Sequence, residues 1–153
     1  ARIRAERLDE SLAILEGLWR GEPFGFEGRH YRFEPMTFRP TPIQQPRIPI
    51  WVIGAWPKER SIRRALRYDG ILPQTRDPAA IGEAAAFVAR ERPTDSGPFE
   101  IVVEGTTRDA SDTDTVGALA DAGATWWIES DWTGATVRSL QQRIASGPPR
   151  PKP

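Results

Sequence analysis

Hydrophobic residues in the first twenty positions recur at the three- and four-residue spacing of an α-helix. The repeating positions are Leu8, Leu12, Leu15 and Trp19. Gly21 follows as a typical helix stop, so we predict an amphipathic helix over residues 1–20. Aromatic residues then flank Glu27-Gly28-Arg29, which predicts a β-hairpin. Five prolines between residues 35 and 49 exclude a helix there and predict an extended connection.

From residue 50 onward, short apolar runs alternate with helical patterns four times. The apolar runs are Ile50–Ile53, Gly70–Pro73, Phe99–Glu104 and Thr125–Glu129. They are continuously apolar rather than alternating, which predicts parallel strands covered on both faces. Two architectures fit this pattern: a small open α/β sheet, or half of an eight-fold β/α barrel, which needs about 250 residues in full.

Composition narrows the class of protein. A length of 153 residues predicts one domain over residues 1–147, followed by a disordered proline-rich tail over 148–153. Twenty-one basic residues balance 21 acidic ones, so neither nucleic acid nor an anionic membrane is an expected partner. No apolar run reaches the roughly 20 residues of a membrane span, and we expect a cytoplasmic protein. The chain starts at Ala1 already in a helical pattern, which suggests a segment of something longer.

The turn Gly54-Ala55-Trp56-Pro57-Lys58 follows the first parallel strand and precedes a helix. Helix N–H groups and the helix dipole favour a phosphate at such a turn, and Lys58 adds a positive charge. The alternative is an ordinary strand–helix turn with a solvated lysine. Trp56 would either wall a ligand pocket or pack within the loop. Gln74 follows the second strand and Glu104 ends the third, so both are expected at the same mouth.

Other chemistry has less support in the sequence. Glu129 ends the fourth strand and Asp131 comes shortly after it, but two carboxylates near a strand end are common, and we assign no catalytic residue. One histidine and no cysteine exclude a typical transition-metal site, so we assign no metal ligand. The glycine motifs of P-loop, Rossmann and hydrolase-elbow proteins do not occur.

An ordered series of short stretches resembles the C-terminal half of the luciferase-like monooxygenase family, the flavin- or deazaflavin-dependent barrel oxidoreductases. The stretches are Arg7-Leu8-Asp9-Glu10 through Leu18-Trp19-Arg20-Gly21, Phe26-Glu27-Gly28-Arg29-His30-Tyr31, Pro40-Thr41-Pro42-Ile43-Gln44-Gln45-Pro46, Pro49-Ile50-Trp51-Val52, Arg67-Tyr68-Asp69-Gly70, Gly123-Ala124-Thr125-Trp126-Trp127-Ile128-Glu129 and Arg143-Ile144-Ala145-Ser146-Gly147-Pro148-Pro149. They cover nearly the whole chain in the order of the family.

The resemblance implies the C-terminal half of a (β/α)8 TIM-type barrel. Residues 1–49 would be the connection before the fifth strand, and residues 50–147 would supply strands five to eight as four β/α units. The cofactor would be FMN or coenzyme F420, its phosphate held by Gly54, Ala55, Trp56, Pro57 and Lys58 with Gln74 nearby. The substrate would be a small organic molecule, and the first four strands of the barrel have no counterpart.

A half barrel leaves two sheet edges and one sheet face uncovered. We therefore expect the inward side chains, with Trp51, Val103 and Ile128 as candidates, to need a partner. That partner would be the missing N-terminal half or a second copy of the chain. The alternative function is a non-catalytic truncated paralogue that associates with itself or with a full-length relative. A small phosphate-binding α/β domain outside the family is a third possibility.

Overall fold

The computed structural model describes residues 2–93 and 95–149. The chain divides into two compact units, Ala1–Ile48 and Pro49–Pro153, and each is considered by itself. Of the predicted disordered tail, residues 150–153 lie outside the described residues. Within the part that the structure describes, every helix is too short or too polar to cross a lipid bilayer.

The first unit is a helix followed by a hairpin. Helix α1 spans Arg2–Leu18, and the antiparallel strands β1 (Phe24–Glu27) and β2 (Arg32–Met36) confirm the predicted hairpin. The Glu10 carboxylate accepts the backbone N–H groups of Arg29, His30 and Tyr31 at 2.8, 3.0 and 3.0 Å. These hydrogen bonds join the hairpin turn to α1, because one anion satisfies three backbone donors.

The second unit contains the four predicted β/α repeats. In chain order they are β3 (Trp51–Ile53), α2 (Glu59–Ala65), β4 (Gly70–Leu72), α3 (Pro78–Glu91), β5 (Glu100–Gly105), α4 (Thr113–Asp121), β6 (Trp126–Glu129) and α5 (Val137–Ser146). All neighbouring strands pair in parallel, in the sheet order β3-β4-β5-β6. Helix α3 begins as its sequence predicts: Asp77 accepts the Ala79 N–H at 3.1 Å, and Pro78 occupies the first turn.

One face of the sheet is covered by the helices of its own chain. Its side chains are Val52, Ile71, Ile101 and Val103, all buried, and they share the core with Ile62, Ile81 and Leu119 of α2, α3 and α4. The prediction that Val103 faces inward is wrong. Its side chain is only 1% exposed and lines a small cavity with Val116 and Leu119 of α4. The alternation of β5 therefore places Val103 on the helix side and Val102 on the inner face.

The opposite, inner face curves inward and lacks a cover. The rings of Trp51 and Trp126 lie 5.2 Å apart, although their strands β3 and β6 are the two edges of the sheet. Three strand spacings of about 4.8 Å separate these edges, so the rings meet only because the sheet is concave. Ile53, Trp126 and Ile128 remain 57%, 51% and 36% exposed. The four strands form an arc consistent with part of a barrel, and the barrel is not closed.

Gly70 makes room for this contact in the middle of the arc. Trp51 aligns with Gly70 on β4, and Gly70 aligns with Glu100 on β5. A Cβ at residue 70 would lie 2.7 Å from Trp51 Cδ1 and 2.8 Å from the Glu100 carbonyl oxygen. The Trp51 ring therefore occupies the space that a larger residue would fill.

Candidate functional site

A cavity of about 410 Å³ opens on the concave face, where β3, β4 and β5 end. The inner-face side chains of Ile53, Leu72 and Val102 give it apolar walls. Gln74, Arg76 and Glu104 add polar groups around its opening. An apolar pocket with a few polar groups at the carboxyl ends of parallel strands is the usual form of a small-molecule site in barrel proteins.

Gln74 lies at this cavity, where the sequence places it. Its φ angle of 58° is in the left-handed region, which residues other than glycine seldom adopt. The residue comes directly after Pro73 at the end of β4, and its side chain is exposed. Backbone strain of this kind is concentrated at functional sites in proteins, where surrounding structure holds it in place.

The turn at residues 54–58 has few backbone donors left for a phosphate. The N–H of Gly54 donates to the Leu72 carbonyl and that of Trp56 to the Pro73 carbonyl, both at 3.0 Å. The N–H of Lys58 donates to the Ala55 carbonyl at 2.9 Å, and Pro57 has none. An anion at this turn would therefore depend on the N–H of Ala55 and the ammonium group of Lys58. The following helix, α2, is only seven residues long.

Trp56 points to helix α3 instead of lining the cavity. Its indole N–H donates to a Glu83 carboxylate oxygen at 3.2 Å. Its ring meets the Phe87 ring edge-to-face, with centroids 5.9 Å apart. This geometry corresponds to the loop-packing alternative. Trp132, the other tryptophan after a strand end, is 83% exposed.

Glu129 anchors the C-terminal part of the second unit. Its carboxylate accepts hydrogen bonds from the Thr107 N–H at 2.8 Å, the Thr107 hydroxyl at 2.9 Å and the Trp127 indole at 2.9 Å. It also pairs with Arg143 of α5 at 2.9 Å, and Arg143 donates to the Thr107 hydroxyl as well. With all these partners, Glu129 is a structural link between β5, β6 and α5.

The ionisation of Glu129 agrees with that structural role. Partial burial alone would raise its pKa, but hydrogen bonds from Trp127, Thr107 and Arg143 outweigh burial and hold the pKa below its ordinary value. A general acid at neutral pH needs the opposite shift, that is, a pKa above the ordinary value.

The Asp131 carboxylate also has hydrogen-bond partners within its own loop, because it accepts the N–H and the hydroxyl of Thr133. In residues 2–93 and 95–149 there is no cluster of side chains that would hold a metal ion.

Arg76 is the residue of this site that the sequence interpretation missed. It lines the cavity with Gln74 and Glu104, two residues already expected at the strand ends. The signal available in the sequence was its place between the end of β4 and the helix cap Asp77, where a loop residue lies at the mouth of the arc.

A family model described as luciferase-like monooxygenase matches residues 2–149. The chain belongs to the luciferase-like monooxygenase family. Membership agrees with the fold: four parallel strands with their helices form part of the luciferase-like barrel, and the predicted resemblance is confirmed.

The relatives that this chain resembles include one uncharacterized protein and two enzymes named for F420 or FMNH2 dependence. An uncharacterized protein of Mycobacterium tuberculosis is 36% identical over 124 residues, which cover 80% of this chain and 41% of the relative. An F420-dependent hydroxymycolic acid dehydrogenase of the same species is 35% identical over 89 residues, 58% of this chain and 24% of the relative. An FMNH2-dependent dimethylsulfone monooxygenase of Pseudomonas putida is 36% identical over 52 residues, 34% of this chain and 14% of the relative.

The matched regions cover only part of these proteins. The chain spans about two fifths of the length of its uncharacterized mycobacterial relative and less of the two named enzymes. Luciferase-like relatives thus include both F420-dependent and FMNH2-dependent enzymes, and their cofactor use is a property of those proteins.

Proposed function

We propose that this chain is the C-terminal part of a flavin- or deazaflavin-dependent oxidoreductase or monooxygenase that acts on a small organic substrate. The observation that carries the proposal is the cavity on the concave face, at the carboxyl ends of β3, β4 and β5. Membership in the luciferase-like family supports it, because relatives named for F420 or FMNH2 dependence align with segments of this chain.

The residues at the cavity fit a flat aromatic cofactor ring. Apolar side chains of Ile53, Leu72 and Val102 would contact the ring, and Gln74 at the rim would hydrogen-bond its polar edge. The cavity volume of about 410 Å³ lies within the range of small-molecule sites. When bound, FMN or F420 would supply the redox chemistry, and the residues of this chain would position it and exclude water.

The cofactor phosphate would be held at the turn of residues 54–58. The backbone N–H groups of Gly54, Trp56 and Lys58 already donate to carbonyl oxygens, so the donors left within this turn are the Ala55 N–H and the Lys58 ammonium group. In this proposal Trp56 and Pro57 shape the turn, and Trp56 does so by packing on α3. The phosphate would therefore be held mainly by the positive charge of Lys58, and only to a smaller extent by backbone N–H groups of the turn.

Titration with FMN and with F420 tests the proposed function. Flavin or deazaflavin fluorescence should change on binding, and Ile53→Asp should weaken binding at least about tenfold by placing a charge in an apolar wall. Ile43→Asp is the matched control, because Ile43 is 95% exposed in the first unit and lies outside the cavity lining. If neither cofactor binds the chain or its assembled form, the proposal is overturned.

We also propose that the concave face is covered by four further parallel strands, from an N-terminal half barrel or from a second copy. Within the described part of the chain, β3 and β6 each pair on one side only. The Trp51 indole N–H is buried without an acceptor, and Ile53, Trp126 and Ile128 are exposed. Since strands in the arc are parallel, β6 of one half could pair with β3 of the other to complete eight strands.

Light scattering across a concentration series tests whether a second copy provides the cover. A dimer that Ile128→Lys dissociates, without loss of helical signal, is the expected result. If the chain is a folded monomer at all concentrations, a second copy is excluded, and addition of a luciferase-like N-terminal half should then produce a 1:1 complex. Failure of both associations would contradict the proposal.

The alternative function is a non-catalytic half barrel that binds itself or a relative. The exposed apolar inner face favours it, since that surface alone would drive association. The alternative predicts a stable assembly that binds neither FMN nor F420. The same two measurements therefore separate a cofactor-binding part of an enzyme from an assembly module.

A further inference from the structure

We propose that Glu104 recognises a positively charged nitrogen group, so that the substrate bound at the concave face is a small organic cation with an apolar body. The inference rests on the proposed function, because it names the substrate class of that same cavity. It is carried by the inner-face position of Glu104, by the lack of a basic partner for its carboxylate, and by the apolar side chains around it.

Glu104 lies on the inner face of β5, near the carboxyl end of the strand. It aligns with Ile128 of β6, and Val102, two residues earlier, aligns with Trp126. Because side chains alternate along a strand, all four share the inner face. Inner positions of barrel strands usually carry branched apolar side chains that fill the barrel. A carboxylate at such a position loses water when the barrel closes, so its charge needs a partner.

The strands of the arc provide no positive charge to Glu104. None of the residues in β3, β4, β5 and β6 is lysine, arginine or histidine. Within the part of the chain that the structure describes, the Glu104 carboxylate has neither an ion pair nor a hydrogen bond. Its charge is therefore available to a ligand.

Arg76, the one basic residue among the described residues that line the cavity, is directed to the other side of β5. A Cβ built on Gly105 would lie 2.8 Å from Arg76 Cδ and 2.7 Å from Trp127 Cη2. Gly105 follows Glu104 in the strand and so faces the helices. The stem of Arg76 thus packs on the helix side, and Arg76 does not neutralise Glu104.

Glu129 shows how a carboxylate of the same sheet is satisfied when the chain itself provides the partners. On the helix side, Glu129 accepts hydrogen bonds from Thr107 and Trp127 and pairs with Arg143 at 2.9 Å. Gly105, next to Glu104, aligns with Glu129, so the two carboxylates belong to neighbouring positions of opposite faces. The described chain supplies a counter-charge on the helix side only, and the partner of Glu104 comes from elsewhere.

The surroundings of Glu104 define the ligand. An ionised carboxylate only accepts hydrogen bonds, and it binds a positively charged donor most strongly. Ile53, Leu72 and Val102 line the same cavity and require an apolar body next to that cation. The cofactor phosphate is an anion that Glu104 would repel, so the cation belongs to the substrate. An ammonium group attached to an aliphatic or aromatic body is the class that fits.

A matched pair of probes tests the inference on the purified chain, in the state of association that light scattering reports. Benzylamine, which is protonated at pH 7, and benzyl alcohol share a ring and differ in charge. Ligand-observed NMR gives both dissociation constants, and we expect the cation to bind about fivefold or more tightly. Methyl signals of Ile53, Leu72 and Val102 should shift on its addition, which locates it in the cavity.

The substitution Glu104→Gln keeps the size of the side chain and removes its charge, so the two probes should then bind equally. Glu104→Asp should retain part of the preference, because the charge remains. Glu34→Gln is the control, since Glu34 is also an exposed glutamate within a strand, β2, and lies outside the cavity lining. Thermal unfolding of each variant verifies that the fold is unchanged.

Three results would overturn the inference: equal binding of the two probes to the unmodified chain, a preference that Glu104→Gln retains, or methyl shifts confined to residues outside the cavity. The first is also the result expected if a covering half barrel supplies the base that pairs with Glu104.

These results are distinct from failure of the proposed function. A Glu104-dependent preference for the cation, without binding of FMN or F420, would leave the cation site standing and remove the flavin proposal. Flavin binding that Ile53→Asp weakens, with no preference for the cation, would do the reverse.

Discussion

The two faces of the four-stranded sheet are made by alternate residues of the same strands, yet their surroundings differ. On the outward face, Ile71 and Val103 are buried under helices of the same chain. On the inner face, Ile53, Trp126 and Ile128 remain substantially exposed. Similar apolar residues therefore contribute differently to stability, because the helices of the chain bury those on the outward face and leave those on the inner face in contact with solvent.

The comparison shows which part of the fold the chain supports alone. Helices α2, α3 and α4 cover the outward face of β3, β4 and β5, whereas α5 buries none of its residues. The inner face carries the cavity and the tryptophan contact, both of which lie where a barrel core would be. Stability in this unit thus comes from one face, while the proposed ligand site belongs to the other.

The largest expected difference between the faces comes from Ile71→Ala and Ile53→Ala. Ile71 is fully buried and Ile53 is 57% exposed, although they lie on adjacent strands. Ile71→Ala should lower the free energy of unfolding by about 2–5 kcal/mol, because it leaves a cavity under the helices. Ile53→Ala should change it by only about 0.5 kcal/mol. Urea unfolding followed by circular dichroism measures both, and equal losses would contradict the distinction.

A smaller effect is expected from adding one methyl group beneath the tryptophan contact. Gly70→Ala should destabilise the protein by about 1–3 kcal/mol, because its Cβ would overlap Trp51 and the Glu100 carbonyl. Gly117→Ala in α4 is the matched control. No heavy atom lies within 4 Å of a Cβ at that position, so the helix should gain about 0.5–1 kcal/mol. Opposite signs of the two changes in thermal unfolding would support the close-packed arc.

The smallest expected effect concerns the acid response of Glu129, which belongs to the outward side. The hydrogen bonds that lower its pKa make the carboxylate stabilising above an unfolded-state pKa of about 4.3. This contribution is lost as pH falls through the lower folded-state pKa. Glu129→Gln should cost about 1 kcal/mol at pH 7.

Unfolding temperatures of the native chain and Glu129→Gln, compared from pH 7 to pH 3, measure this contribution. The difference between them should shrink as the pH falls, because protonation removes the same ion pair with Arg143 that the substitution removes. A difference that stays constant over this range would show that the charge of Glu129 has no part in stability.

Local sequence patterns predicted the elements well and the surroundings of their side chains less well. The continuous apolar runs indicated parallel strands, and Asp77-Pro78 indicated the start of α3, because both signals depend on neighbouring residues. The face of Val103 was predicted wrongly, since a run such as Ile101-Val102-Val103 has no polar residue to mark which side faces the helices.

The candidate site was predictable only as a region. Strand ends identified Gln74 and Glu104 as mouth residues, because parallel strands bring their carboxyl ends together. The orientation of Trp56 toward α3 depends on Phe87 and Glu83, about 30 residues later, and no local pattern contains that information. The same applies to Glu129, whose partner Arg143 reaches it only after α5 has packed.

The contact between Trp51 and Trp126 has a further spectroscopic consequence. Two indole rings 5.2 Å apart and inclined by 53° should couple their electronic transitions and give a paired signal of opposite signs in circular dichroism. Since the rings belong to the first and last strands of the arc, the splitting would vary with the curvature of the sheet. A single optical measurement could therefore follow the arc as it opens or tightens.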